Sequence, residues 1–536
     1  MFNISIPTNA VERIKQWFIK YHLHLLMFLV TVISVYCFVH FLQNGLGLAY
    51  NDARSHLNIG RRVVEGLKPG FAQIGSVWLP LPHVLMIPTI WNDFMWHTGL
   101  AGALQSMIAF IATAYLIYRF LQHLGVSIFG RLMGVLIFIT NINILYLQST
   151  AMTELLLIAT MTAASYYLLV WIEKQQMVDF IRTSFFVMLA TLIRYDGWFL
   201  LFVTAMIVTI FIWKKSGYKA AEGTFLLFCT LGGFGVILWL LWNLIIFGDP
   251  LYFAFGPYSA HAQQTQLADA GILATEHNLP LSIKIYLYAL IYNSNMFITL
   301  LGLAGAVVLY FDKKLKSKIK LGTIALFAPL VFNVIALYFG HSVLFVQGIS
   351  GNSWFNVRYG IMLVPSIAIF AGYLLDRARA SVRIPLLVAL SFVLLFSFVS
   401  YDAVTIDDGR VGSSQKNVTE VSGWLAENAK DKEGFILISA ASHDAILFSS
   451  GLPMKKFIHE GTGDYWDSAI ASPDRWARWI ILRTNDDNDQ TFRLIKNTPG
   501  FKRYKLIKTY PFADIYQLDD KYLDQLNTTE VFPDQN

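Results

Sequence analysis

The chain has 536 residues, 55% of them hydrophobic, 15% aromatic and only 14% charged, with a mean hydropathy of +0.51. Soluble chains carry about a quarter charged residues, so this composition excludes an ordinary cytosolic enzyme, a disordered protein and a nucleic-acid binder. The net charge of +6 conceals two unlike regions: residues 1–401 hold 25 bases and 14 acids, whereas residues 402–536 hold 16 bases and 21 acids. Both cysteines, Cys37 and Cys229, lie in apolar runs, so no disulfide framework is expected.

Apolar stretches long enough to span a bilayer run near 23–43, 99–121, 132–148, 153–172, 224–247, 285–311, 321–346, 359–375 and 384–401. A further stretch, 185–213, is interrupted by Arg194-Tyr195-Asp196-Gly197. Reading it as two short spans brings six basic clusters to one face: the N-terminus, 119–131, 174–182, 214–219, 313–320 and 377–383. Lys and Arg accumulate in short cytoplasmic loops. The expectation is therefore eleven transmembrane helices with the N-terminus cytoplasmic, in a multi-pass protein of the plasma membrane.

The first outside segment, 44–98, carries helical spacing over 52–66 and an aromatic-rich run from His83 to Trp96. Two helices on the membrane surface are expected there. After Tyr401 the composition becomes soluble: 417–429 reads as an amphipathic helix, and 435–440 and 479–483 as buried strands. Residues 504–510 and 514–518 alternate around Pro511 like a hairpin. The expected architecture is a polytopic α-helical membrane domain over 1–401 and an extracytoplasmic α/β domain over 402–536. That domain shows no phosphate-binding glycine loop, zinc spacing or nucleophile elbow, and the chain has no tandem repeat.

Ionisable groups beside apolar spans are costly, and each is a functional candidate. Asp52, with Arg54 and His56 close behind, sits just past the first span and suits a general base; an N-cap is the simpler alternative. Glu154 opens a wholly apolar span, where first-turn helix electrostatics would also favour an acid. Arg194 marks the interruption of 185–213 and Arg358 ends a polar loop. Guanidinium groups there suit a phosphate, although Arg194 and Asp196 could equally form an internal pair. Tyr359 is an interfacial anchor or a sugar platform. Metal involvement stays open: a divalent cation is compatible with the carboxylates, and His261 and His277 are isolated in the sequence.

In this order and sidedness the motifs resemble the GT-C class of integral membrane glycosyltransferases, in the branch of protein O-mannosyltransferases and aminoarabinose transferases. The resemblance rests on Tyr50-Asn51-Asp52-Ala53-Arg54, Trp78-Leu79-Pro80-Leu81-Pro82-His83, Thr153-Glu154, Leu192 to Gly197, Phe247 to Phe253, and Asn356-Val357-Arg358-Tyr359. It implies a GT-C fold over about residues 20–400 and a polyprenyl-phosphate sugar as donor. It implies a protein, lipid or glycan acceptor, and displacement with inversion at the anomeric carbon. Asp52 falls at the position of the family's catalytic acid and Glu154 at that of a frequent second acid, while Arg194 and Arg358 would bind the donor phosphate. One departure is that many members have Asp-Glu adjacent in the first loop, whereas Ala53 follows Asp52 here. A transporter or a non-catalytic scaffold with an outer binding domain are the rival readings. A transporter would show related halves and interrupted helices near the bilayer midplane. A scaffold would let the four charged residues scatter.

Overall fold

Inside a bilayer an apolar run has only its own backbone to hydrogen-bond, and it closes into a helix. The computed structural model describes residues 8–256, 259, 261–262, 264–265, 271–401, 403–411 and 415–527. The first elements are α1 (Thr8–Gln43), α2 (Asn51–Val64), α3 (Leu81–Ile90), α4 (Asp93–His97), α5 (Leu100–His123), α6 (Ile128–Ile139), α7 (Ile142–Leu147) and α8 (Glu154–Lys174). There follow α9 (Met177–Thr191), α10 (Asp196–Ser216), α11 (Tyr218–Gly232), α12 (Phe234–Phe247) and α13 (Tyr252–Phe255). After these come α14 (Leu279–Ser294), α15 (Met296–Phe311), α16 (Ser317–Thr323) and α17 (Ala328–Tyr338). A 3-10 segment, Val357–Leu363, leads into α18 (Val364–Arg377), and α19 (Ala380–Ser400) is the last long apolar helix.

Among the described residues seven helical stretches are long and apolar enough to cross a membrane, or up to nine if two bent pairs each form one span. This is an integral membrane protein. Of the eleven spans expected, 132–148 is the 12-residue α6 followed by α7, and the first half of 185–213 is the 15-residue α9. The interruption at Arg194 does separate α9 from α10. The stretch 285–311 differs from a single straight span, because α14 and α15 meet at 109°. Asn295 makes that corner with a φ of 68°, and its side chain accepts a hydrogen bond from the Phe297 N–H at 2.9 Å. The loop expected over 248–283 lies partly outside the described residues, as do the two ends of the chain.

Close helix approach in a bilayer relies on small residues. Where α6 meets α18, a Cβ on Gly372 would stand 2.7 Å from the Gly130 carbonyl oxygen. Where α15 runs beside α18, a Cβ on Gly305 would stand 2.0 Å from the Phe370 carbonyl oxygen. Burial is uneven: α8 runs through the centre and is almost wholly enclosed, whereas in α19 only Leu390 is buried.

Beyond α19 lie α20 (Val404–Val411), α21 (Gln415–Ala429), β1 (Phe435–Ile438), α22 (Ala440–Ser449), β2 (Phe457–Ile458), α23 (Asp464–Ala471), β3 (Ala477–Leu482), α24 (Gln490–Ile495), β4 (Tyr504–Thr509) and β5 (Asp514–Leu518). The five strands form one sheet in the order β2-β1-β3-β5-β4. β1 pairs in parallel with β2 and β3, while β5 is antiparallel to β3 and β4. The apolar runs of β1 and β3 are buried and the edge strand β4 is mostly exposed.

This C-terminal α/β domain is seated on α2. The Asn58 side-chain amide donates to Asp444 on α22, and Glu65 accepts from the Met454 N–H. With α3 against another side, where a Cβ on Gly60 would lie 3.5 Å from Met86, α2 is buried around most of its circumference. It is an enclosed helix, more deeply packed than the surface helix that its amphipathic pattern implied.

Candidate active site

Four segments far apart in sequence bring charged side chains to the end of the bundle that carries the α/β domain. Asp52 lies in the first turn of α2, where Tyr50 is the N-cap residue and makes no side-chain cap. The Asp52 carboxylate turns to Arg358, with Oδ2 2.5 Å from Nη2. Glu154 is the first residue of α8 and fully buried; its Oε1 accepts from Arg358 Nε at 3.0 Å and from Arg194 Nη1 at 3.3 Å. Arg194 also reaches Asp196 Oδ2 through Nε at 3.3 Å. The internal Arg194–Asp196 pair and the convergence on Glu154 therefore exist together.

Local sequence explains these placements. Leu192 to Tyr195 form the turn between α9 and α10, and Gly197 permits it: a Cβ there would lie 2.2 Å from the Ala190 carbonyl oxygen. Arg358 follows Asn356, whose φ of 54° turns the chain into the 3-10 segment. The Arg358 guanidinium lies over the rings of Tyr50 and Tyr359, with its Cζ 4.8 and 5.3 Å from their centroids. Arg194 also lies against the Tyr359 ring, its Cζ 4.9 Å from the centroid. Tyr359 thus packs against both arginines, which offers cation–π stabilisation to each.

Exposure separates the members of this group. Asp52 keeps 40% of its side chain open and Arg194 21%, whereas Arg358, Asp196 and Glu154 keep 7%, 6% and 0%. Buried ions are tolerated only when paired. Glu154 satisfies this with one oxygen shared between two guanidinium groups, while its Oε2 has no hydrogen-bond partner among the described residues.

His56 belongs to the neighbourhood without touching the ion pairs. Its Nδ1 is 2.9 Å from Nε2 of His83, and its ring packs on Trp78. Burial, followed by the nearby charges of Arg194 and Arg358, pushes the His56 pKa down to about 3. His56 is thus neutral at physiological pH. Arg54 turns elsewhere: it is 1% exposed, forms no ion pair among the described residues, and burial lowers its pKa to about 10. His261 and His277 do not join the cluster; His261 packs on Phe255 and His277 on Tyr338. No group of three or more His, Cys, Asp or Glu side chains is arranged to hold a metal ion among the described residues. Cys37 and Cys229 are both free.

Two contributors were not anticipated. Asp408, on α20, accepts from the Tyr50 hydroxyl at 3.0 Å and lies 3.9 Å from Arg358 Nη1. Tyr50 precedes Asp52 by two residues and opens the Tyr50-Asn51-Asp52-Ala53-Arg54 motif. Asp408 lies seven residues past the last apolar run, in Asp407-Asp408-Gly409, where acids become common and none stands out.

The arrangement is a partly open carboxylate held by a buried guanidinium, beside a second, mostly enclosed guanidinium. Such a pair can accept a proton and oppose negative charge at adjacent points. No protein-family model and no curated protein sequence matches the chain. Among solved structures, ArnT from Cupriavidus metallidurans bound to undecaprenyl phosphate superposes with a TM-score of 0.57 at 9% identity, over 94% of this chain and 99% of that one. Its apo form gives 0.52 at 10% identity, over 95% and 99%. This chain has a GT-C-like fold. The archaeal oligosaccharyltransferase AglB from Archaeoglobus fulgidus, in complex with an inhibitory peptide and a dolichol-phosphate, gives 0.49 at 11% identity over 94% and 75%. The GT-C-like likeness to ArnT extends over nearly the whole of both chains, the C-terminal α/β domain included.

Proposed function

We propose that the protein is a membrane glycosyltransferase that moves a sugar from a polyprenyl-phosphate donor to an acceptor hydroxyl on the extracytoplasmic face. The observation that carries this reading is the convergence of Asp52, Glu154, Arg194 and Arg358 through direct ion pairs. A scaffold gives these residues no reason to meet. The undecaprenyl phosphate in the ArnT structure supports a lipid phosphate as the leaving group.

Asp52 acts as general base. Its carboxylate takes the proton of the acceptor hydroxyl as the oxygen attacks the anomeric carbon, and the bond to the donor phosphate breaks on the opposite face with inversion. Arg194 and Arg358 oppose the charge that grows on the departing phosphate. Glu154, with no exposed surface, is a positioning residue that sets the spacing of the two guanidinium groups rather than a group that meets substrate. Tyr359 holds the arginine side chains flat, and His56 and Asp196 line the same end of the bundle. The domain division follows the same reading: the helical part to about 401 supplies the chemistry, and 402–536 forms an extracytoplasmic cap.

The test is incubation of purified protein with a panel of polyprenyl-phosphate sugars, scored for release of lipid phosphate. Asp52→Asn is expected to lower turnover by about 10²–10⁴-fold while the protein elutes and melts as the parent does. Full activity in that variant removes Asp52 from the role of base.

A further inference from the structure

Arg358 is the most heavily engaged side chain in the cluster, and each of its three nitrogens faces a different carboxylate. Nη2 is 2.5 Å from Asp52, Nε is 3.0 Å from Glu154, and Nη1 is 3.9 Å from Asp408. Two of these partners come from helices at the beginning of the chain's path through the bundle. The third comes from α20, the helix that follows the last apolar span.

The position of α20 is fixed independently of Arg358. The Thr405 N–H and hydroxyl both donate to Asn143 Oδ1, at 3.0 and 2.8 Å. Gly409 brings the helix against the aromatic floor of the site: a Cβ there would lie 3.1 Å from the Tyr146 hydroxyl and 3.3 Å from the Tyr50 ring. Asp408 is 2% exposed and takes the Tyr50 hydroxyl at 3.0 Å. The same tyrosine ring carries the Arg358 guanidinium on its face. Asp408 therefore grips Arg358 twice, once by charge and once through the ring it orients.

We propose that Asp408 is a positioning residue for the transfer reaction: it holds the Arg358 guanidinium so that Nη2 stays directed at Asp52 and at the donor phosphate. This rests on the glycosyltransferase reading above and extends it. The junction between the membrane bundle and the α/β domain thereby contributes to the site. Asp408 is too enclosed to meet substrate, and its effect passes through Arg358. Without the carboxylate, Nη1 loses its partner and the Tyr50 ring its anchor, so the guanidinium is freer to turn and Nη2 no longer holds its direction toward Asp52 and the phosphate.

Three variants and two readouts test this. The variants are Asp408→Asn, which removes charge at constant shape, Asp408→Glu, which restores it, and Tyr50→Phe, which removes the hydroxyl alone. The first readout is the split between donor KM and kcat in lipid phosphate release. The second is the rate at which phenylglyoxal modifies Arg358, located by peptide mass spectrometry, which needs no turnover.

Asp408→Asn is expected to raise donor KM about tenfold, the loss of one partner of a buried ion pair, and to speed Arg358 modification several-fold. Asp408→Glu should recover most of both, and Tyr50→Phe should shift both in the same direction by less. The double variant Tyr50→Phe with Asp408→Asn should be no worse than Asp408→Asn. Donor KM and Arg358 reactivity within twofold of the parent in Asp408→Asn would overturn the inference, as would a loss that Asp408→Glu fails to recover. If Asp408→Asn does not fold, unchanged KM and reactivity in Tyr50→Phe overturn it instead. Failure of the glycosyltransferase reading looks different: the parent protein itself then releases no lipid phosphate from any donor.

Discussion

The two ends of the helical bundle use the same residue types in different ways. At the end beneath the α/β domain, Glu154, Arg358 and Asp408 are enclosed, and the contacts of Arg358 with its carboxylates join elements far apart in sequence. At the other end, Asp312 after α15 accepts from the Tyr373 hydroxyl at 2.6 Å and lies 3.6 Å from Arg377, whose side chain is one-third exposed. Arg182 and Asp179 pair there within one turn of α9, with Arg182 more than half exposed. Charges of the second kind follow from where a helix leaves the membrane, and water shares the work of solvating them. Those of the first kind have given up water and depend on one another. Only the first kind demands a reason beyond topology.

The largest expected effect that could break this contrast is at its centre. Glu154→Gln leaves the buried Arg358 and the partly exposed Arg194 short of their shared partner and should cost about 3–5 kcal/mol, read as a lowered unfolding midpoint in detergent together with lost transfer. A variant as stable as the parent would make the enclosed cluster no different from the exposed one. Acid should act next. His56 and His459 are pushed down to about 3 by burial, and His83 lies well below its ordinary value for the same reason. Unfolded histidines take up protons near pH 6.5, so between there and about pH 3 the unfolded chain binds more protons. Their contribution to stability is complete above that window and lost as pH falls through it. The unfolding midpoint should decline from pH 7 to 4, and His459→Gln should remove part of the decline; a flat profile contradicts the burial. Arg194→Lys, which keeps charge and loses the planar fork, should raise donor KM about tenfold, measured by lipid phosphate release. Smallest of all, Asp312→Asn at the opposite end should change stability by about 0–1 kcal/mol and leave transfer as it was. An inactive Asp312→Asn would erase the distinction between the ends.

Scarcity of charge made much of the site legible. Glu154 stands before an apolar run and Arg194 interrupts one, so hydropathy alone singles them out. Asp408 carried no such signal, because it lies where acids become common and scarcity stops marking anything. The turn at Asn295 was written in Asn293-Ser294-Asn295, three polar residues inside an apolar stretch. Hydropathy measures length along the chain, however, and is blind to a change of axis. For that reason it counted one straight span in 285–311. It likewise gave full membrane length to α6 with α7. The enclosure of α2 was hidden for another reason: its amphipathic pattern showed one apolar face, while the polar face is covered by α22, whose Asp444 is 386 residues from Asn58.

The span of these contacts has a consequence for how the protein is made. Arg358 and Asp52 are 306 residues apart, and Tyr50 and Asp408 are 358. Closing loops of that length is slow and entropically unfavourable. During synthesis Asp52 and Glu154 are made long before Arg358; Glu154 meets Arg194 after 40 residues, whereas Asp52 has its guanidinium partner only after 306. The last ion pairs form only when the ribosome has passed α20. The charged cluster is therefore complete only when the membrane part is nearly finished, and the seating of the α/β domain on α2 follows.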